Sequence, residues 1–252
     1  MARNIVIANW KMNPASPVEA KRLFASTRAA ARALRSVEVV IAPPVPFLSL
    51  FAGKRYKNVR LGAQDVFWQS RGAVTGEVSP AMLASLGVRY VIVGHSERRA
   101  LGESDEIVSR KVSAALSAGL TPILCVGEGE RDEHGAYLHA LAGQIRRSLA
   151  GLTKNGIPGI IVAYEPVWAI GKTARDALSA RGLHETTLFI QKTLNDLYGR
   201  RAADTVRIVY GGSVEANNAA ELIREGNVSG FLVGHASLSR GFREILRAVG
   251  RL

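Results

Sequence analysis

The chain has 252 residues, and its 47% of hydrophobic and 21% of charged residues are ordinary for a globular protein. Its one cysteine, Cys125, excludes an internal disulfide and is typical of a reducing compartment. No uncharged apolar run reaches the roughly 18 residues of a membrane span, and the amino-terminal sequence shows no targeting pattern. We therefore expect a cytoplasmic protein with no membrane partner.

The formal net charge of +12 is unusual, and it could steer anionic substrates or favour nucleic-acid binding. Basic pairs such as Arg98-Arg99 and Arg200-Arg201 are scattered along the chain, however. No block of Lys and Arg interleaves with aromatic residues, which make up only 6% of the chain. This distribution is typical of solvated basic faces, so we expect no specific nucleic-acid partner.

Short, nearly continuous runs of Ile, Val, Leu and Ala alternate with longer stretches along the whole chain. Such runs are typical of strands that are buried on both faces of a parallel sheet. They predict strands at residues 4–8, 38–42, 60–63, 90–93, 122–126, 159–163, 207–209 and 230–233.

The stretches between these strands have helical periodicity. Between the fourth and fifth strands, for example, Val108, Val112 and Ala115 share one helix face. Ser104 suits the N-cap of that helix, and Gly119 suits its end.

Eight strand–helix alternations without a long linker favour one closed (β/α)₈ barrel over residues 1–252, with eight parallel strands inside and the helices outside. The alternative is an open doubly wound sheet, which normally binds its ligand through a glycine-rich first loop. The first loop here, residues 9–13, has no glycine.

Polar and small residues follow the carboxyl ends of the predicted strands: Asn9 and Lys11, Gln64 and Asp65, residues 94–97, Glu165, residues 211–213, and Gly234 with His235. In a barrel all these ends open onto one face, where the chemistry is built.

That set supports one kind of chemistry in particular. The carboxylate of Glu165 and the imidazole of His95 suit proton abstraction beside a carbonyl group, with the imidazole as donor to the enediolate oxygen. Lys11 and the glycine-rich turns suit a phosphate group. The residues predict aldose–ketose isomerisation of a small phosphorylated sugar, which needs no redox cofactor.

Other chemistries fit the sequence less well. The Gly171-Lys172-Thr173 string lacks the first glycine of a P-loop, and Gly127 with Gly129 lacks the third glycine of a dinucleotide fingerprint. Neither a HExxH string nor a second cysteine marks a metal site, and no G-x-S-x-G marks a serine hydrolase. We expect no metal and no cofactor.

Several strings in these loops have a recognisable form. They are NWKMN at 9–13, GAQ at 62–64, TGE at 75–77, GHSERR at 94–99, ESD at 103–105, CVGE at 125–128, AYEPVWAIG at 163–171 and YGGSV at 210–214. In content and order they resemble the triosephosphate isomerase family, which is a standard example of a carboxylate base paired with a neutral imidazole. The resemblance implies a (β/α)₈ homodimer without a cofactor. It also implies a role in glycolysis and gluconeogenesis, where the family interconverts D-glyceraldehyde 3-phosphate and dihydroxyacetone phosphate through an enediolate.

The resemblance also implies roles for individual residues. Glu165 would be the base, His95 the electrophile, Lys11 the balancing charge and Asn9 a positioning group. The remaining roles would be support from Glu97 and Ser96 and phosphate binding by Gly171, Ser213, Gly234 and His235. Residues 166–174 would close over the substrate, and the loop 67–77 would dock into a second subunit.

The chain departs from the family pattern in three loops. The closing segment looks two residues shorter after Gly171, and we expect its closure to differ while Gly171 still offers its N–H to phosphate. His235 stands where the family usually has a second glycine, and a positive φ there would be strained; we expect its side chain to point outward. Asp65 and Val74 replace Asn and Phe, which leaves the dimer strength open.

Two alternative functions remain at this point. One is an isomerase for a related four-carbon sugar phosphate, and the other is a non-catalytic barrel that binds nucleic acid through its basic surface.

Overall fold

The structure is a computed structural model that describes residues 3–132, 134–169 and 178–252. Within these residues eight strands form a closed barrel in the order β1 to β8, and every pair of neighbours is parallel. The strands are β1 Asn4–Asn9, β2 Val37–Ala42, β3 Val59–Ala63, β4 Tyr90–Val93, β5 Thr121–Val126, β6 Ile161–Tyr164, β7 Arg207–Tyr210 and β8 Gly230–Val233. The predicted (β/α)₈ barrel is therefore confirmed, and the open sheet is excluded.

The helices lie in the segments that connect the strands. They are α1 Pro17–Ala31, α2 Val45–Leu48, α3 Pro80–Ser85, α4 Ser96–Ala100, α5 Asp105–Ser117, α6 Ala136–Ser148, α7 Ala180–Tyr198, α8 Arg200–Ala203, α9 Ala219–Glu225 and α10 Arg240–Gly250. As predicted, the Ser104 side chain caps α5 by accepting the Ile107 N–H, and Gly119 follows that helix with φ +74°.

The alternation of side chains along each strand explains why the strand sequences are continuously apolar. On β1, Ile5 and Ile7 point into the barrel interior with Val40 and Ile92, whereas Val6 packs in the layer between barrel and helices. Both faces of the strand are therefore excluded from water, and the burial of the side chains on both faces is the main source of stability.

The predicted strands agree with the structure to within one residue at each end, except for the sixth strand. We expected that strand at residues 159–163, but β6 is Ile161–Tyr164. Ile157–Gly159 forms a 3₁₀ turn instead, because Pro158 suits its start and cannot donate to a ladder. At the other end Tyr164 continues the ladder opposite Val126 and Tyr210.

The close approach of β1 and β8 requires a glycine. A Cβ atom on Gly230, whose φ is +147°, would lie 1.7 Å from the carbonyl oxygen of Ile5. The pairing of β1 with β8 closes the barrel and brings the loop after β8 beside the loop after β1. None of the helices in the described ranges has the length and apolar character needed to cross a bilayer.

Candidate active site

A cavity of about 240 Å³ lies at the carboxyl ends of the strands. Its walls come from the loops after β1, β4, β6, β7 and β8, and they include Asn9, Lys11, His95, Glu165, Gly211, Gly212, Ser213, Gly234 and His235. Seven of the residues predicted for the site therefore meet in one space, although they are far apart in the sequence. Gly171, with the rest of residues 170–177, lies outside the described residues.

Glu165 follows β6 directly, and only 3% of it is exposed. Its Oε1 atom is 3.4 Å from Nε2 of His95, and its Oε2 atom is 3.4 Å from the backbone nitrogen of Ser96. Burial raises the pKa of this carboxyl group, while the neighbouring His95 and the Ser96 N–H oppose the rise. A carboxylate with a raised pKa is a stronger base toward a carbon acid than an exposed one.

The orientation of the His95 ring follows from its place at the start of α4. Nδ1 accepts the backbone N–H of Glu97 at 3.2 Å, so that His95 caps the helix with its own side chain. A nitrogen that accepts a hydrogen bond carries no proton, so in the neutral ring the proton is on Nε2. The N–H that faces Glu165 and the cavity is therefore a donor.

Gly94 makes the turn between β4 and His95 possible. Its φ is +69°, and a Cβ atom there would be 2.9 Å from Cγ2 of Val108. The tight turn sends the chain from the buried strand directly into α4.

The backbone of Lys11 is held by hydrogen bonds with two other side chains. Its φ is +51°, its N–H donates to Oδ1 of Asn9 at 3.0 Å, and its carbonyl accepts Nε2 of Gln64 at 2.8 Å. The ammonium group reaches Oε1 of Glu97 at 2.5 Å. Asn9, Gln64 and Glu97 together fix the Lys11 ammonium group at the edge of the cavity.

Gln64 is a positioning residue for which the sequence analysis predicted no role. The same side chain amide also donates to the carbonyl of Ala42 at 2.9 Å, which ties Lys11 to the end of β2. Its occurrence in the GAQ string was the available signal, but the partner carbonyls could not be known before the barrel was closed.

The loops after β7 and β8 form the other end of the cavity. The Ser213 hydroxyl donates to the carbonyl of Ala169 at 2.9 Å, and Gly234 approaches Lys11 so closely that a Cβ atom would be 3.0 Å from Cε. After Gly234 a 3₁₀ turn, His235–Leu238, begins, and the Ser237 hydroxyl donates to the Asn9 carbonyl at 3.1 Å. Backbone N–H groups at such turns are suited to an anion.

The steric cost considered for His235 does not arise. Among the described residues with side chains, positive φ occurs at Lys11, Asn58 and Asn227 and not at His235. The residue lines the cavity and is exposed at its mouth. A side chain at this position is compatible with the turn.

Glu128 holds the chain on either side of Glu165. Its Oε1 atom accepts the hydroxyl of Tyr164 at 2.8 Å and Nε1 of Trp168 at 2.9 Å. Burial and the Glu128 charge raise the pKa of Tyr164, so its hydroxyl stays a donor. The start of the segment after β6 is thereby fixed to the loop after β5.

Comparison with known proteins agrees with this geometry. The family model for triosephosphate isomerase matches residues 4–249. The triosephosphate isomerase of Moorella thermoacetica is 46% identical over 242 residues, which cover 94% of this chain and 95% of the relative. That of Thermoanaerobacter sp. (strain X514) is 44% identical over 240 residues, which cover 94% and 96%. Since both the model and these relatives span nearly the whole chain, this protein belongs to the triosephosphate isomerase family.

Proposed function

We propose that this protein interconverts D-glyceraldehyde 3-phosphate and dihydroxyacetone phosphate. The observation that carries the proposal is the meeting of a buried carboxylate, an imidazole donor and a fixed ammonium group in one cavity. Glu165 and His95 face each other there at 3.4 Å, and Lys11 lies on the same wall. The full chain, 1–252, would act as one catalytic domain.

The reaction moves one proton between adjacent carbons. The carboxylate of Glu165 takes the proton from the carbon beside the carbonyl, and the electron pair of that bond forms the carbon–carbon double bond. The carbonyl oxygen becomes an enediolate oxygen, which the Nε2–H of His95 stabilises. Glu165 then returns the proton to the neighbouring carbon, so that no electron leaves the substrate.

The phosphate group of the substrate lies at the other end of the cavity. We assign its binding to Ser213, Gly234 and the backbone of His235, with Gly171 as a further donor. Lys11 balances the negative charge, since its ammonium group is fixed at the cavity edge by Glu97. Asn9 holds the Lys11 backbone, and Ser96 holds Glu165 through its N–H.

A coupled assay with glyceraldehyde 3-phosphate tests this function. We expect turnover by the wild type and a loss of about 10²- to 10⁴-fold in kcat for Glu165→Gln. Glu221→Gln, an exposed change on α9, is the matched control and should keep full activity. Equal turnover by Glu165→Gln and the wild type would reject Glu165 as the base. A tetrulose phosphate assayed in parallel separates the three-carbon from the four-carbon substrate.

We further propose a homodimer formed through the loop 67–77. At the root of this loop Phe67 stacks on Trp68 at 4.0 Å, and Arg110 of α5 lies 4.3 Å from the Trp68 ring centre. On the same end of the barrel Met12 is 94% and Leu101 is 80% exposed, which is typical of side chains that a partner covers. Met12→Glu should shift the mass in solution toward one chain; an unchanged mass would argue against this surface.

The cytoplasmic location stays a prediction from the single cysteine.

A further inference from the structure

A second cavity, of about 590 Å³, lies between α1 and the start of α10. Leu23 and Leu238 supply apolar parts of its lining, and Arg22, Arg240 and Arg243 supply charged ones. It is separate from the substrate cavity, although Leu238 belongs to the turn that begins at His235. We call it the arginine cavity.

The positive charges of the arginine cavity are only partly neutralised by the protein. Within the described ranges, Arg22 and Arg243 have neither an ion pair nor a side-chain hydrogen bond. Arg240 has only a loose pair with Glu244 at 3.6 Å, with both side chains largely exposed. Glu19 is the acidic residue in the lining. Cations brought together from two helices repel each other unless an anion lies between them.

We propose that the arginine cavity binds a small molecule that carries two or more adjacent phosphate groups. A guanidinium group donates two parallel hydrogen bonds to a phosphate, so Arg22 on one wall and Arg243 on the other suit two such groups. The volume lies within the range of about 300–1,000 Å³ found for small-molecule sites. The leucine side chains give the rest of the ligand an apolar surface.

The proposal does not depend on the isomerase reaction, because none of these arginines lines the substrate cavity. The substrate cavity could nevertheless bind any phosphate compound. Binding should therefore be compared between the wild type and variants of the arginine cavity, since an anion bound in the substrate cavity would bind alike to all of them.

The experiment is calorimetric titration of the full chain with inorganic pyrophosphate. The wild type should bind, and the double variant Arg22→Gln/Arg243→Gln should bind at least about tenfold more weakly. The control is Arg32→Gln/Arg247→Gln, which removes the same charge at the far ends of the same helices and should bind like the wild type. Unchanged isomerase turnover in both pairs verifies that they are folded.

Two results would overturn the proposal: no binding of pyrophosphate to the wild type, or the same affinity in both double variants. A second arm uses a nucleoside triphosphate. If the nucleoside triphosphate binds more tightly than pyrophosphate and Leu23→Ser weakens this binding, the nucleoside contacts the leucine side chains. Equal binding of both compounds would restrict recognition to the adjacent phosphates.

Discussion

Gly211 and Glu165 are packed so closely that residue 211 has no room for a side chain. A Cβ atom there would lie 2.6 Å from Cγ of Glu165 and 3.1 Å from its Oε1 atom. The backbone cannot retreat easily, since the Gly211 N–H donates to the Tyr164 carbonyl at 2.8 Å and so joins β7 to β6. The glycine therefore limits the positions open to the carboxylate.

Gly211→Ala should displace the Glu165 carboxylate and lower kcat by about 100-fold, the loss expected for a shift of about 1 Å in a reacting group. Steady-state kinetics with glyceraldehyde 3-phosphate measures this. Gly129→Ala is the control, because its added methyl group meets no described atom within 4 Å. Wild-type kcat in Gly211→Ala would mean that the carboxylate has more room than the structure shows.

His95→Gln should lower kcat by about 10²- to 10³-fold, as is typical when a donor to a developing oxyanion is lost. The reason is that a glutamine at the N-cap of α4 cannot both accept the Glu97 N–H and place a donor 3.4 Å from Glu165. The change in KM should be much smaller than the change in kcat. His139→Gln, on the exposed face of α6, serves as the comparison. A variant whose KM alone rises would assign His95 to binding.

The fold could be predicted because each strand is apolar on both faces, and this pattern is visible in each segment without knowledge of the neighbouring strands. The site residues could be predicted because parallel strands bring their carboxyl ends to one face. The bonds that hold the site could not, since they join loops whose approach depends on barrel closure. Gln64 donates to the Lys11 carbonyl, and the Ser237 hydroxyl donates to the Asn9 carbonyl, only when the barrel is closed.

The raised pKa of Glu165 predicts two pH dependences. Because the base must be ionised, kcat/KM should begin to fall at a higher pH than the ordinary pKa of a glutamate would give. Stability should change in the opposite sense. Between the ordinary and the raised pKa, the folded chain holds a proton that the unfolded chain has released, so the free energy of unfolding falls as the pH rises.

Glu165→Gln removes this titration. The unfolding free energy of the variant relative to the wild type should therefore increase with pH through that window and then level off. Urea unfolding at intervals from about pH 4 to pH 8 measures the difference. A difference that stays constant over this range would show that Glu165 titrates alike in the folded and unfolded chains.

Lys111 carries a buried charge on the apolar face of α5, where the sequence pattern predicts hydrophobic residues. It lies on α5 beside the apolar Val108 and Val112 and is only 2% exposed. Its ammonium group bonds both carboxylate oxygens of Asp65, at 2.7 and 2.8 Å, and a carboxylate oxygen of the buried Glu103. The aspartate that replaces the usual family asparagine thus has a partner. The sequence could not show this, because Asp65 follows β3 whereas Glu103 and Lys111 lie between β4 and β5.

Lys111→Met should lower the free energy of unfolding by about 3 kcal/mol, because it removes the buried cation that contacts Asp65 and the buried Glu103. The half-exposed Arg98, which lies 3.0 Å from Asp65 and 3.9 Å from Glu103, remains and limits the loss. Urea unfolding near neutral pH measures the loss. Lys192→Met, which breaks an exposed pair with Asp196, is the control and should cost less than about 1 kcal/mol. Adding Asp65→Asn to Lys111→Met should recover part of the loss, since one of the two carboxylate charges is then removed. Equal losses in Lys111→Met and Lys192→Met would mean that water reaches both carboxylates and that the cluster contributes no more than a surface pair.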